Sequence, residues 1–308
     1  MNTCSIVSAF YYIGDTKFTY KDVTNFVDKM NNTKGKIDFC SIDALKEILG
    51  KLNTRLIDRQ SLSLEAAIKI AENENFLNNL NRSKLSIFAG SYTSSVYPSA
   101  IFNLSTKGKG PNFVNATEFT NTVGNAAVSR ACIWNQFRGE AYAISEGLHS
   151  GLNAVVDAYT NIKYNETNDA LSCATEEVGA AVVLIQKESP NHKAIACVKN
   201  VDSSYIANIN EIESYFNNLE NKFNVKLGDV DVYLSGNFDK VNYIFKMFEG
   251  KGVDFQKIIN KNLWSLAPLV DIGRCLHNYK NGLTKDSIIV SIDKKGFVAS
   301  AQLTRGEC

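Results

Sequence analysis

The sequence predicts a mixed α/β protein in which helices cover central sheets. Three observations predict it. Short apolar runs rich in β-branched and aromatic residues alternate with longer runs of helical spacing along the whole chain. The 308 residues are 44% hydrophobic and 21% charged, which suits one large α/β domain or two smaller ones. No Pro-rich or Gly/Ser-rich linker divides the chain and no short-period repeat runs through it, so it reads as one unit.

The elements follow in order. Residues 5–13 are strand-like, with β-branched and aromatic side chains. Residues 41–52 have helical spacing behind a plausible cap, Ser41. Residues 63–74 form a helix with Leu64, Ala67, Ile68 and Ile70 on one broad face. Residues 85–89 read as a buried strand, closed by Gly90. Residues 117–134 carry helical periodicity through Phe119, Val123, Ala126, Ala127 and Ala131. A strand at 141–144 runs through small residues into an Ala/Val-rich helix at 152–162. Residues 170–174 and 180–185 read as adjacent strands, and 194–198 as another. After a polar stretch near Asp202 and Ser203 the pattern restarts. It gives a helix at 211–223, a strand at 231–234, helices at 240–249 and 266–278, and a hairpin of 287–292 with 296–303 through Asp293-Lys-Lys.

Composition excludes several classes of function. A formal net charge of +1 with dispersed lysines gives no footprint for nucleic acid or an anionic membrane. No apolar run reaches the length of about 20 residues that a membrane span needs, and the N-terminus lacks a signal-peptide pattern. The seven cysteines are scattered, without a Cys-x-x-Cys spacing, so neither a zinc site nor a disulfide framework is indicated. The expectation is a reducing, cytoplasmic setting with small core thiols, Cys308 being a tail residue.

The chemistry concentrates on Ile144-Ser-Glu-Gly-Leu-His-Ser-Gly-Leu-Asn-Ala154. A side chain on such a strand-to-helix turn sits at a helix N-terminus, where the dipole and free N–H groups would activate a thiol. Here Leu148 stands there. A cysteine or serine nucleophile also needs a base within reach, and the chain has three histidines. His192 reads as a loop residue and His277 as a cation near a helix C-terminus. His149 lies on the turn itself, beside Ser145 and Ser150, but no Gly-x-Ser-x-Gly elbow is present. Glu176 and Glu177 point to opposite faces if they continue a strand, so a structural turn is preferred to an acid pair. Gly147-x-x-x-Gly151 lacks the Gly-Lys-Ser/Thr ending of a phosphate loop.

Asn125-Ala-Ala-Val-Ser-Arg-Ala-Cys-Ile-Trp-Asn-Gln-Phe-Arg-Gly139 resembles the block that precedes the active cysteine in β-ketoacyl synthases of the thiolase superfamily. The turn that follows resembles their nucleophile turn. Arg55-Leu-Ile-Asp-Arg59, Ser86-Ile-Phe-Ala-Gly90, Asp169-Ala-Leu-Ser-Cys-Ala-Thr-Glu-Glu177 and Val178-Gly-Ala-Ala-Val-Val-Leu184 are similar to further segments of that family. The resemblance implies a thiolase-like fold, layered αβαβα with two mixed central sheets, in a compact variant. Its halves would lie at about 1–200 and 201–308. It also places Leu148 at the catalytic cysteine, Ser235 at the first catalytic histidine and Asn262 at the second.

A retained fold without these groups resembles the chain-length factor, or ketosynthase β subunit, of type II polyketide synthases. That resemblance implies a catalytically inactive subunit pairing with an active ketosynthase, as a heterodimer or heterotetramer. Together the two would form the tunnel in which a polyketide grows on an acyl carrier protein. It implies no cofactor and no metal. Tunnel candidates are Phe119, Thr122 and Val123, on the helix before Asn125, with ordinary core packing as the alternative. Edge candidates for pairing are Arg138, Ala141, Tyr142, Ala143 and Ile144. Two other functions stay open: a divergent active β-ketoacyl synthase or acyltransferase using His149 or a shifted serine, and a non-catalytic scaffold that binds a carrier protein.

Overall fold

The computed structural model describes residues 4–32, 36–50, 52, 54–188, 194–257 and 262–306. His192 and Cys308 lie outside the described residues. The chain opens with β1 (Cys4–Ile13), β2 (Thr16–Thr19), α1 (Val23–Asn32), α2 (Ile42–Leu49) and α3 (Arg59–Asn73). It continues through β3 (Ser86–Gly90), α4 (Val96–Lys109), α5 (Ala116–Phe119), α6 (Ala126–Asn135), β4 (Ala141–Ile144) and α7 (Ser150–Lys163). A tight hairpin follows, β5 (Asp169–Glu176) with β6 (Gly179–Lys187), and then β7 (Ala196–Tyr205). The remainder is α8 (Ile212–Phe223), β8 (Asp231–Gly236), α9 (Phe238–Phe248), β9 (Asp254–Lys257), α10 (Ala267–Lys280), β10 (Ser287–Ile292) and β11 (Phe297–Arg305).

The strands run in the order β4-β3-β5-β6-β1-β7-β11-β10-β8-β9, with β2 paired to β1. Parallel pairs (β3–β4, β3–β5, β8–β10, β8–β9) mix with antiparallel ones. The expected two sheets are therefore hydrogen-bonded into one. Their link is short: Cys4, Ser5 and Ile6 of β1 against Val198, Cys197 and Ala196 of β7. Register shifts between Ile6 and Ser8 and between Gln302 and Leu303 flank it, and irregularities of this kind bend strands.

The bend lets the two halves face each other across α7 and α10. One core joins Leu152, Ala158, Leu269 and Ile272 of these helices to Ala170 and Ile185 on one side and Ile289 and Ala301 on the other. A second core lies under α2, α3 and α6, on the outer face of the first half. A third lies under α8 and α9, on the outer face of the second. This is the αβαβα order that the resemblance implies.

Three sequence expectations change. The helix expected at 63–74 begins at Arg59, because the Asp58 carboxylate accepts the Ser61 N–H at 2.9 Å and caps it; such a cap contributes about 1 kcal/mol. The polar stretch at Asp202 and Ser203 is not a break. Both residues lie within β7, where Asp202 accepts from Ser204 Oγ and Lys222 Nζ. The helix expected at 117–134 is interrupted. Thr120 and Thr122 donate their hydroxyls to the carbonyls of Thr117 (2.7 Å) and Phe119 (2.8 Å). This is the local competition that weakens helices at threonine, and Val123 is extended before α6 begins.

Candidate functional site

The turn at residues 145–149 joins the edge strand β4 to the central helix α7. Ser150 shapes it. Its Oγ accepts the N–H groups of Glu146 (2.9 Å) and Gly147 (3.1 Å) and donates to the Gly147 carbonyl (2.7 Å). Gly147 has φ +134, and a Cβ there would lie 2.7 Å from Asp293 Oδ2. Only glycine fits this conformation and this approach.

Leu148 ends the turn half-buried, its carbonyl 3.4 Å from the hydroxyl of Ser291, which donates to it. Its aliphatic side chain has no atom to ionise, accept a proton or take an acyl group. Five of the described thiols are shifted away from ionisation. Burial pushes Cys4 and Cys275 up to about 12 and raises Cys40, Cys132 and Cys173 as well, so these remain protonated.

Ser235 sits one residue before the end of β8, opposite Ser291 on β10. Neighbours in register share a sheet face, so Ser235 is on the face that meets the turn. Its hydroxyl is buried and has no hydrogen-bond partner among the described residues. The Asn262 Oδ1 accepts the Ile37 N–H at 3.0 Å and its Nδ2 donates to the Ile37 carbonyl at 2.6 Å. The amide thus fixes the segment before α2.

Ser265 and Trp264 form a 3-10 turn ahead of α10, and Ser265 meets the start of α7. The Ser265 carbonyl lies so close to Gly151 that a Cβ on that glycine would collide with it. The Trp264 ring lies 6.3 Å from that of Tyr92.

His149 caps α7 and is 1% exposed. Its ring stacks on Phe297 at 5.8 Å, its Nε2 is 3.7 Å from Glu146 Oε2, and its Nδ1 has no partner among the described residues. Burial lowers its pKa, opposed by the charges of Asp293 and Glu146, so the ring is neutral. His277 lies in the last turn of α10, its Nε2 2.8 Å from the Asn281 amide.

Glu176, expected to be part of a structural turn, is a hub of hydrogen bonds. Its carboxylate, fully buried at the end of β5, accepts from Tyr92 N–H (2.6 Å), Thr93 N–H (3.2 Å), Thr93 Oγ1 (2.6 Å), Ser91 Oγ (3.5 Å) and Ser265 Oγ (2.5 Å). Burial raises its pKa and these donors oppose the rise. One side chain thereby ties the loop after β3 and the turn before α10 to the central sheet. Glu177 points away, as the strand alternation requires, and lies 3.8 Å from Arg59. The signal available in the sequence was an acid ending a strand of otherwise small or apolar residues after Asp169.

The expected pairing edge is open. Tyr142 is 51% exposed and stacks on Phe88 at 5.6 Å; Ala141 and Ala143 are exposed and Ile144 is buried. Arg138 precedes the strand, its N–H donating to the Arg82 carbonyl at 3.2 Å. Glu140 and Ile144 accept from Ile87 and Ser91 on the β3 side. By the alternation of a parallel pair, Ala141 and Ala143 therefore turn their N–H and C=O groups outward.

The segments beside this edge carry exposed apolar side chains, among them Leu104 (71% exposed), Phe113, Phe119 (55%) and Ile133 (74%). Phe119 ends α5 against Phe102 of α4, at 5.7 Å. Pro98, Val123, Ala126, Ala143 and Ile144 line one narrow cleft that opens at the edge. The structure brings Val123 to that cleft, Phe119 to the surface beside it and Thr122 onto its own turn. No group of three or more His, Cys, Asp or Glu side chains among the described residues could hold a metal ion. No described helix is long and apolar enough to cross a membrane.

No protein-family model matches the sequence, and no curated protein matches it. Solved structures do. The ishigamide ketosynthase/chain length factor is similar at TM-score 0.81 and 13% identity, over 98% of this chain and 99% of that one. A β-ketoacyl synthase from Burkholderia phymatum is similar at TM-score 0.75 and 10% identity, over 100% of both. A ketosynthase in complex with its chain length factor from Xenorhabdus doucetiae is similar at TM-score 0.72 and 12% identity, over 99% of this chain and 98% of that one. The chain has the thiolase-like fold of these proteins.

Proposed function

We propose that this chain is a non-catalytic chain-length factor, which pairs with an active ketosynthase and limits how far a polyketide grows on its carrier protein. One observation carries the reading: an unpaired strand edge, flanked by exposed apolar side chains, abuts a nucleophile turn that holds leucine. Monomers rarely leave apolar patches of more than a few hundred Å² open. Burying each large side chain here would contribute about 1.5–3 kcal/mol to an interface. A partner strand added to β4 would satisfy the outward groups of Ala141 and Ala143. It would also close the cleft at Val123 and Ala143, making it an inner wall.

The partner must supply the chemistry. Condensation needs an acyl acceptor and groups that stabilise the developing enolate. Leu148 offers no acceptor, and Asn262 is occupied with Ile37. Cys4, Cys40, Cys132, Cys173 and Cys275 form no disulfide, which supports a cytoplasmic setting.

Reconstitution tests the reading. The chain is purified with a ketosynthase, its carrier protein and malonyl units. The pair should make products, and a cysteine-to-alanine substitution in the ketosynthase should abolish them. Condensation that survives that substitution, or that the chain performs alone, would sink the reading.

A further inference from the structure

We propose that Arg130 is a positioning residue that sets where the 119–123 wall stands and, through it, how long the product grows. This rests on the chain-length reading above.

Arg130 lies on α6, 12% exposed at its side chain. Its guanidinium forks. Nη1 donates to Asp58 Oδ2 at 2.5 Å and to Ser61 Oγ at 2.9 Å. Nη2 donates to Thr120 Oγ1 at 3.0 Å and to Asn121 Oδ1 at 2.6 Å. One arm therefore grips the capped start of α3, in the rigid outer layer, and the other grips the 3-10 turn.

The turn needs such a grip. Its own bonds are local: Phe119 N–H to the Asn115 carbonyl (3.1 Å), Thr120 Oγ1 to Thr117, Thr122 Oγ1 to Phe119, and Ala126 N–H to the Val123 carbonyl (3.1 Å). These give the turn its shape and say nothing of where it stands. Asn121 Nδ2 extends the Arg130 contact by donating to the Leu56 carbonyl at 2.8 Å. Among the described residues, the Phe102–Phe119 ring pair and a 3.4 Å bond from Ser105 Oγ to Glu118 tie the segment to α4, itself a mostly exposed helix. Arg130 and Asn121 are thus the polar link from the wall to the buried frame. A planar fork suits two simultaneous partners, which a lysine ammonium on a flexible stem does not reproduce.

Three variants test this: Arg130→Gln, Arg130→Lys and Asn121→Leu. Amide hydrogen exchange on the free chain should be about tenfold faster or more over residues 116–123 in all three, with α3 unchanged. Arg130→Lys keeps the charge beside Asp58 and should keep the melting temperature, yet still release the turn. In complex with the ketosynthase, each variant should still pair but broaden the products by at least one extension unit. Unchanged exchange, or unchanged product length in variants that pair, would overturn the proposal and leave the chain-length reading standing. If the unmodified chain pairs with no ketosynthase, that reading fails, and the product-length claim fails with it. The exchange arm then still decides the clamp.

Discussion

The turn at residues 145–149 and the edge of β4 are neighbours in the chain, yet their chemical states are opposite. The turn is closed on itself: Ser150 binds three of its backbone groups, Ser291 binds the Leu148 carbonyl, and His149 is buried and neutral. Its backbone is held from within, and the aliphatic Leu148 stands on it. The edge is the reverse. Ala141 and Ala143 leave backbone groups unpaired among the described residues, and Tyr142 lies open over Phe88. An open edge invites aggregation, so it is kept only where something covers it. The difference teaches that a turn satisfied from within and an edge left open are built side by side on one short stretch of chain.

The largest effect should come from breaking the edge. Ala143→Pro removes an outward N–H while leaving the β3 side bonded, and edge strands tolerate proline. Affinity for the ketosynthase should fall at least a hundredfold, about 3 kcal/mol, with the free chain's melting temperature little changed. Titration calorimetry reads the first and a thermal melt the second.

A smaller effect should follow from reshaping the wall. Val123→Trp fills the cleft beside Ala143 and should shorten the products, whereas Phe119→Ala should lengthen them. Mass spectrometry of the reconstituted products checks both. An unchanged distribution for Phe119→Ala would remove that residue from the wall.

A third experiment concerns buried acids that serve neither region. Burial pushes Glu65, Glu177 and Asp271 up to about 7 from 4.5, 4.5 and 3.8. Between those ordinary values and about 7, the folded chain holds protons that the unfolded chain has released. Their contribution to stability therefore falls as pH rises through that window. At Glu177, burial and the Asp58 charge outweigh Arg59. In Glu177→Gln, the urea midpoint should drop less than in the parent between about pH 5 and about pH 8. An identical drop in both would place Glu177 outside this effect.

The smallest effect is none. Leu148→Cys restores the acceptor alone, without basic groups to stabilise an enolate, and should show no condensation by itself. Measurable malonyl condensation by that variant would contradict the account of the turn.

Much of the fold was legible because burial writes it locally. The apolar runs that became β3, β5, β6 and β10, and the cap at Ser41, each carry their reason within a few residues. The turn was legible too, through its glycines and its small residues. What escaped was contact between distant segments. Glu176 reads as part of a structural turn, and its bonds to Tyr92, Thr93 and Ser265 are not visible in that reading. Nor does the sequence show that the Asn262 amide meets Ile37, 225 residues away. The helix expected through Phe119 and Val123 fails because threonine hydroxyls compete for its carbonyls, which periodicity does not register.

The central claim is that this chain completes another subunit rather than acting alone. Native mass spectrometry of the chain co-expressed with a ketosynthase tests it most directly. The account predicts a complex with equal numbers of both chains, lost on Ala143→Pro. A stable homodimer or monomer that ignores the ketosynthase and condenses malonyl units by itself would contradict it.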